Sequence, residues 1–436
     1  MHSHTWPSRR GVLTGLAATA AGTALSACGP KTPGGGTTLN MWGGVPPENG
    51  PNDVIAAFEK KHPKLKVKYH RYVNDPQGNV KLDTALQGGA PIDVYFSYGL
   101  QYLAQRVKSG LAADLTDRVQ KDQAFTSLAD PERSEAVWFD GKLHSLVCAR
   151  DPHLVFVNQD LLAEAGVTIP EKWTIDDFTK AAEAIAGKNR YGMLFYPDTP
   201  RITLGADNYY ARGGRKSRFA DPAYREYGRA WRDALDKKIA FPYEEVVAQK
   251  LDVYQHTPFL QGKVGLWIAS TFNTRYISDT KEFPRDFKVS ALPMPRVPGE
   301  KYWNPGFIGN DICINPKTRH KEAAWDLARF WMIPDGSVPM IKGGRVPYLL
   351  DGIDDETIMK ELLGKDREKV YDVESVRRVL LDKDTRIPVD TVATGYAGVY
   401  KAFMESRAKM LLGETSVDDW VTTLKKRADQ AIAKDS

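Results

Sequence analysis

One stretch, residues 138–178, constrains this fold more than any other part of the chain. It begins W-F-D-G-K-L-H-S-L-V-C-A-R-D-P-H-L-V-F-V-N-Q-D-L-L-A-E-A-G. Asp140-Gly141 spells a turn, residues 143–149 a strand, and residues 154–157 a second strand. Between the two strands stands Arg150-Asp151-Pro152, a charged break with no hairpin signal. A helix then opens at Asn158 and stops at Gly166. Two strands in line across a polar step suit a chain leaving one core and entering another. At 436 residues the chain is also longer than one ordinary core organises. The stretch therefore predicts two lobes and a first crossover.

The flanking sequence continues the pattern. From residue 39 to 110, strand-like and helix-like runs alternate as β-α-β-α-β-α, which calls for a layered α/β lobe with a mostly parallel sheet. The alternation resumes after the crossover. Thr174-x-x-Asp177 reads as a helix start, Asp221-Pro222 as an N-cap with proline in the first turn. Residues 287–292 read as a strand running into P-M-P-R-V-P-G, a second crossover. Residues 307–314 read as an apolar strand stopped by Asn315-Pro316, a third crossover. The expected division is 39–149 with 292–317 in one lobe, and 150–291 with 318–436 in the other.

The N-terminus has a different character. Ser8-Arg9-Arg10 precedes an uncharged run over 11–27, closed by Leu25-Ser26-Ala27-Cys28. A charged start, an apolar middle and small residues before a cut make an export signal over 1–27. The paired arginines resemble a twin-arginine signal, with Val12 where Phe is usual. The L-S-A-C box resembles that of a bacterial lipoprotein, in which Cys28 carries the lipid. Residues 28–38 would then tether the body to the membrane. Only Cys148 and Cys313 remain, and both are expected to be free thiols.

Composition closes other doors. A net charge of +5, with acids and bases interleaved, gives no basic footprint for nucleic acid. No G-x-S-x-G, H-E-x-x-H or G-x-x-x-x-G-K-[ST] motif occurs, and no histidine pair has metal-ligand spacing. No catalytic residue, cofactor or metal is expected. A glycosidase-like carboxylate pair stays open as an alternative, because carboxylates are plentiful.

Taken in order, several segments resemble the extracellular solute-binding proteins of carbohydrate ABC importers, the cluster that includes maltose-binding protein. The crossover stretch is similar to that family's D-G-K…Y-N-k-d…G…P-t-W-d-e-f pattern. So are F-L-Q-G-K-V-G-L-W-I from Phe259, A-L-P-M-P from Ala291, H-K-E-A-A-W-D-L-A-R-F-W from His320, and L-L-G-E-T-S-V-D-D-W from Leu411. Val147 and Val157 depart from it, standing where Pro and Tyr are common. The resemblance implies a two-lobed periplasmic-binding-protein-like α/β fold with three hinge crossovers. It implies a lipid-anchored monomer on the outer face of the membrane that binds a sugar and hands it to a permease with a separate ATPase. A receptor for a non-sugar solute, marked by a cleft of one dominant charge, is the other alternative.

Sugars offer C–H faces to aromatic rings and hydroxyl edges to carboxylates, amides and guanidiniums. In open α/β sheets ligands sit beyond the carboxyl ends of strands. Candidate ligand residues are therefore those just past predicted strands: Trp42, Glu48, Asn49, Tyr98, Arg150, Asp151, Tyr196, Phe272, Asn273, Trp303 and Arg345. For each the competing role is packing or solvation. Trp138, Trp231, Trp325 and Trp331 are assigned to packing.

Overall fold

In the first strand, Thr37–Gly43 (β1), Leu39, Met41 and Gly43 are buried and the residues between them are not, the period of a strand with one covered face. The structure is a computed structural model and describes residues 36–130, 136–170, 172–251, 255–297 and 302–435. The expected export signal, Cys28 and nearly all of the tether lie outside the described residues.

Among the described residues, eleven strands form two main sheets and a ribbon. The first sheet has the order β2-β1-β3-β11-β6, from Leu65–Arg71 (β2), Val94–Ser97 (β3), Leu146–Asp151 (β6) and Phe307–Ile314 (β11). Its β1 lies parallel to β2 and β3, while β11 runs antiparallel to both β3 and β6. The second sheet has the order β10-β7-β9-β8, from His153–Asn158 (β7), Tyr191–Met193 (β8), Val264–Ser270 (β9) and Val289–Leu292 (β10). Both sheets are thus mixed instead of mostly parallel. Trp138–Phe139 (β4) and Lys142–Leu143 (β5) make the ribbon; the expected strand over 143–149 is two pieces.

Each sheet organises its own core. Met41, Phe58, Leu82, Phe96, Ile312 and Trp331 belong to the first, Phe156, Phe178, Tyr224, Trp267, Phe403 and Trp420 to the second. Buried rings of this size hold a lobe firmly: removing one to alanine costs about 3–5 kcal/mol. Local signals behaved as sequence chemistry dictates. Thr174 and Asp177 close a reciprocal capping box, the Thr174 Oγ accepting from the Asp177 N–H at 3.2 Å. Asp221 caps Pro222–Asp236, and Asn158 caps Gln159–Glu164.

The chain passes three times between the sheets, at places that correct the expected boundaries. The first passage is the step from β6 to β7 at Pro152. The second runs from β10, where Leu292 still pairs with Val155 of the second sheet, to β11 in the first. Residues 307–314 are therefore a strand inside the first lobe and not a third crossover. The expected boundary at 318 also fails. Helices Lys321–Met332 and Pro334–Ile341 bury Trp331 and Met340 in the first core, and the second core receives the chain again by Asp355–Leu363. The physical reason is that both helices carry apolar faces that cover the first sheet. The third passage is the segment after Ile341. It lies along the first: Arg150 N–H donates to Val346 O and Tyr348 N–H to Cys148 O, each at 3.1 Å.

Candidate functional site

The carboxyl ends of parallel β1 and β3 face helix Pro334–Ile341 and the third passage, and a cavity opens between them. Val45, Phe96, Trp331 and Met340 form its apolar wall, and Tyr98, Cys148, Asn310, Ser337 and Arg345 its polar one. Centres of water-sized spheres fit within ≈ 20 Å³ of it, although ≈ 330 Å³ is open once the space toward solvent is counted. The enclosed part holds one or two waters.

The polar wall is short of partners. Asn310 Nδ2, Ser337 Oγ and Arg345 Nε are all buried without a hydrogen-bond partner. Each such group costs on the order of 1–3 kcal/mol if left dry, so the wall is built to meet water or a ligand. Asn310 is held in place by an unusual backbone. It sits mid-strand in β11 at φ 55°, a left-handed conformation costing about 1–2 kcal/mol in an L-residue. Tyr98 is fixed by Gly44, whose N–H donates to its hydroxyl at 2.8 Å, and by stacking on Phe96 with ring centroids 5.8 Å apart. Burial pushes the Tyr98 hydroxyl up to about 12, so it stays protonated.

Behind Arg345 lies the junction of the first and third passages. Asp151 is 1% exposed, and its Oδ1 accepts from the Thr271 N–H at 2.8 Å and from the Thr271 hydroxyl at 2.7 Å. Its Oδ2 has no partner. Burial raises the Asp151 carboxyl to about 6, against the opposing pull of Arg345 and Thr271. Phe272 carries two guanidiniums on its ring, Arg345 at 5.3 Å and Arg275 at 5.7 Å. Gly344 makes this approach possible. It has φ 79°, and a Cβ there would stand 2.3 Å from Phe272 Cα.

The sequence-predicted residues divide. Tyr98 and Arg345 line the cavity. Asp151, Phe272 and Asn273 stand at the junction beside it; Asn273 is fully buried, with Oδ1 unpartnered. Arg150 turns away and donates to Thr385 O. Asn49 and exposed Glu48 form a turn at the rim, where a Cβ on Gly343 would meet Asn49 O at 2.5 Å. Trp303 packs on Gly205, which it would touch at 2.5 Å were Gly205 to gain a Cβ. Trp42 stands outside the cavity, between His70 of β2, 5.8 Å away, and Lys81, 6.0 Å over its ring. Tyr196 is buried in the second core against Tyr227. Alternation explains Trp42: it falls on the face opposite Met41, and rings there cover helices.

Sequence reasoning missed Asn310 and Ser337 and gave Trp331 to packing alone. Asn310-Asp311 had a readable signal, two polar residues within an apolar strand. Ser337 had none. Cys148 and Cys313 are both free. Asp311, beside them, is buried and held to Ser145, whose hydroxyl donates at 2.8 Å; burial lifts its carboxyl to about 7. Among the described residues, no group of His, Cys, Asp and Glu could hold a metal ion.

Known proteins share this architecture. The chain is 26% identical over 328 residues to a galactooligosaccharide-binding protein of Bacillus subtilis, covering 70% of this chain and 72% of that protein. An ABC substrate-binding protein of Listeria monocytogenes, in complex with cycloalternan, superposes with a TM-score of 0.74 over 91% of this chain and 99% of that one, at 18% identity. The GacH receptor of Streptomyces glaucescens, solved unliganded and with acarbose, gives 0.69 over 92% and 100%, also at 18% identity. These likenesses establish the two-lobed α/β fold. The sequence model of the bacterial extracellular solute-binding proteins matches residues 47–336, and the chain belongs to that family.

Proposed function

We propose that this protein is an exported receptor that binds an oligosaccharide between its lobes and delivers it to a separate ABC permease. The observation that carries the reading is the cavity at the carboxyl ends of β1 and β3, with three buried polar atoms left for a ligand. Its unpartnered donors can meet sugar oxygens, and Tyr98 beside them can offer a ring to a sugar's C–H face. The relatives add support, since their names speak of galactooligosaccharide, cycloalternan and acarbose.

Under this reading Tyr98 and Arg345 contact the sugar directly, with Phe272, Asn273 and Asp151 meeting it from the junction and Glu48 and Asn49 from the rim. Contacts from both lobes favour a closed form only as far as they bind it more tightly than the open one. A permease then reads the closed form. Anchoring through lipid on Cys28, after export by the twin-arginine or the general route, belongs to the same proposal. Its support is the L-S-A-C box and the run before it.

A thermal-shift screen against neutral and acidic oligosaccharides tests the central claim. At a hundredfold excess over Kd a ligand stabilises by about 2.7 kcal/mol, an upward shift of a few degrees for a body of this size. The same ligand should slow labelling of Cys148, which lines the cavity. Absence of any shift with every saccharide would sink the reading. Cys28→Ser should release the protein from membranes.

A further inference from the structure

The cavity's unpartnered atoms are alike. Asn310 Nδ2 and Arg345 Nε can only donate, and the Ser337 hydroxyl is free to do so. Asn310 is 7% exposed and Ser337 5%. A neutral sugar hydroxyl both donates and accepts, so a wall meant for neutral sugars gains from mixing the two. Here two of the three atoms can only donate, which favours a group rich in acceptors.

Charge points the same way, by a separate observation. Among the described residues no carboxylate pairs with Arg345 within 4.0 Å, and its Nε is buried without a hydrogen-bond partner. Arg275 sits on the same Phe272 ring and its Nε is also unpartnered. Against these two cations stands one buried carboxylate, Asp151: its Oδ1 is engaged by Thr271, its Oδ2 has no hydrogen-bond partner, and it acts on Arg345 only from beyond 4.0 Å. Other acids are committed elsewhere: Asp53 to Lys342, Asp390 to Arg201, Asp311 to Ser145. A desolvated guanidinium lacking a carboxylate is strongly attracted to an anion, and planar oxyanions fit its fork. The size agrees as well: space for one or two waters is space for the two oxygens of an end group, not for a pyranose ring.

We infer that the ligand is an acidic saccharide whose terminal anionic group, a carboxylate or a phosphate, enters this cavity and is held by Arg345, Asn310 and Ser337. This rests on the oligosaccharide-receptor reading above and narrows it. The remainder of the ligand would lie outside the cavity, against Tyr98 and Phe272.

Calorimetric titration of the purified protein decides it. The probes are an oligosaccharide ending in a uronic acid, the same sugar reduced to its neutral alcohol, and the same sugar carrying a terminal phosphate. The acidic forms should bind on the order of 10–100-fold more tightly than the neutral one, and added salt should narrow the gap. Whichever acidic form binds better names the anion. Arg345→Met should cut affinity for the acidic form far more than for the neutral one, and Arg345→Lys should recover part of the loss. If Arg345→Met fails to fold, the salt dependence of the unaltered protein still decides. Equal or tighter binding of the neutral sugar would overturn this inference and leave the receptor reading standing. No binding of any saccharide would overturn both.

Discussion

Two polar clusters in this molecule use the same residue types in opposite ways. In the second lobe, Arg201 and Asp390 are 12% and 11% exposed and lie in direct contact. Arg201 also donates to Pro388 O at 3.0 Å and to Gly306 O at 3.2 Å, and Asp390 accepts from Tyr396 at 2.8 Å and from Asn208 at 3.1 Å. Burial works against the Arg201 charge, but Asp390 together with Tyr209, Tyr396 and Asp198 more than offsets it and the pKa rises. At the third passage, Arg345 is given a ring and a distant carboxylate, and burial lowers its pKa. One cluster is satisfied within the chain and holds the 382–395 loop to the second passage. The other is left incomplete where a ligand would finish it. An arginine's role is thus readable from its partners more than from its burial.

The sharpest way to break that contrast is at its satisfied end. Arg201→Ala leaves Asp390 buried without its cation and should cost about 3–5 kcal/mol in urea unfolding. A change below about 1 kcal/mol would mean the cluster contributes no more than a surface pair does.

Next in size is Asp311→Asn. An acid raised from 3.8 to about 7 on folding keeps its proton in the native chain while the unfolded chain has lost it. Native stability therefore falls as pH rises through that window and levels off above it. The asparagine can still accept from Ser145 and does not ionise, so the variant should be more stable by roughly 4 kcal/mol at pH 8. The difference should vanish near pH 4. A gap independent of pH would show that ionisation is not its source.

At the incomplete end a substitution should again stabilise. Ser337→Ala removes an orphaned hydroxyl and should raise stability by about 1 kcal/mol in the ligand-free protein, a loss being the contrary result. Smallest is Trp42→Ala. With Trp42 turned toward His70 and Lys81, ligand affinity should move by less than about twofold, and a tenfold drop would return that ring to the site.

Much of the fold was legible because its signals are local. A turn at Asp140-Gly141, a capping box at Thr174 and a proline after Asp221 act within a few residues. The crossover at Pro152 was legible for the same reason. What sequence hid is nonlocal. Nothing in residues 321–341 tells which of two apolar cores will receive them, since an amphipathic helix fits either. The lining of the candidate cavity was partly legible: the rule that ligands lie beyond strand ends named Tyr98, and Arg345 was named with it. It also promoted Trp42 and Tyr196, because the rule gives a position along the strand and not the face. Asn310 escaped because its exposure to the cavity depends on one left-handed residue, visible only in the backbone.

The place of β11 has a consequence for how the molecule is made. It lies between β3 and β6 in the first sheet, yet its residues are 307–314 while theirs end at 97 and 151. Until some two-thirds of the chain has been synthesised, two strand edges wait unpaired, and the helices that cover them come later still. Contacts so distant in sequence slow folding, and bare edges invite pairing with other chains. The second lobe's sheet, from residues 153–292, is complete before the first lobe's. The sheet that begins first in the chain is therefore the last to be completed, and the cavity cannot exist before it has.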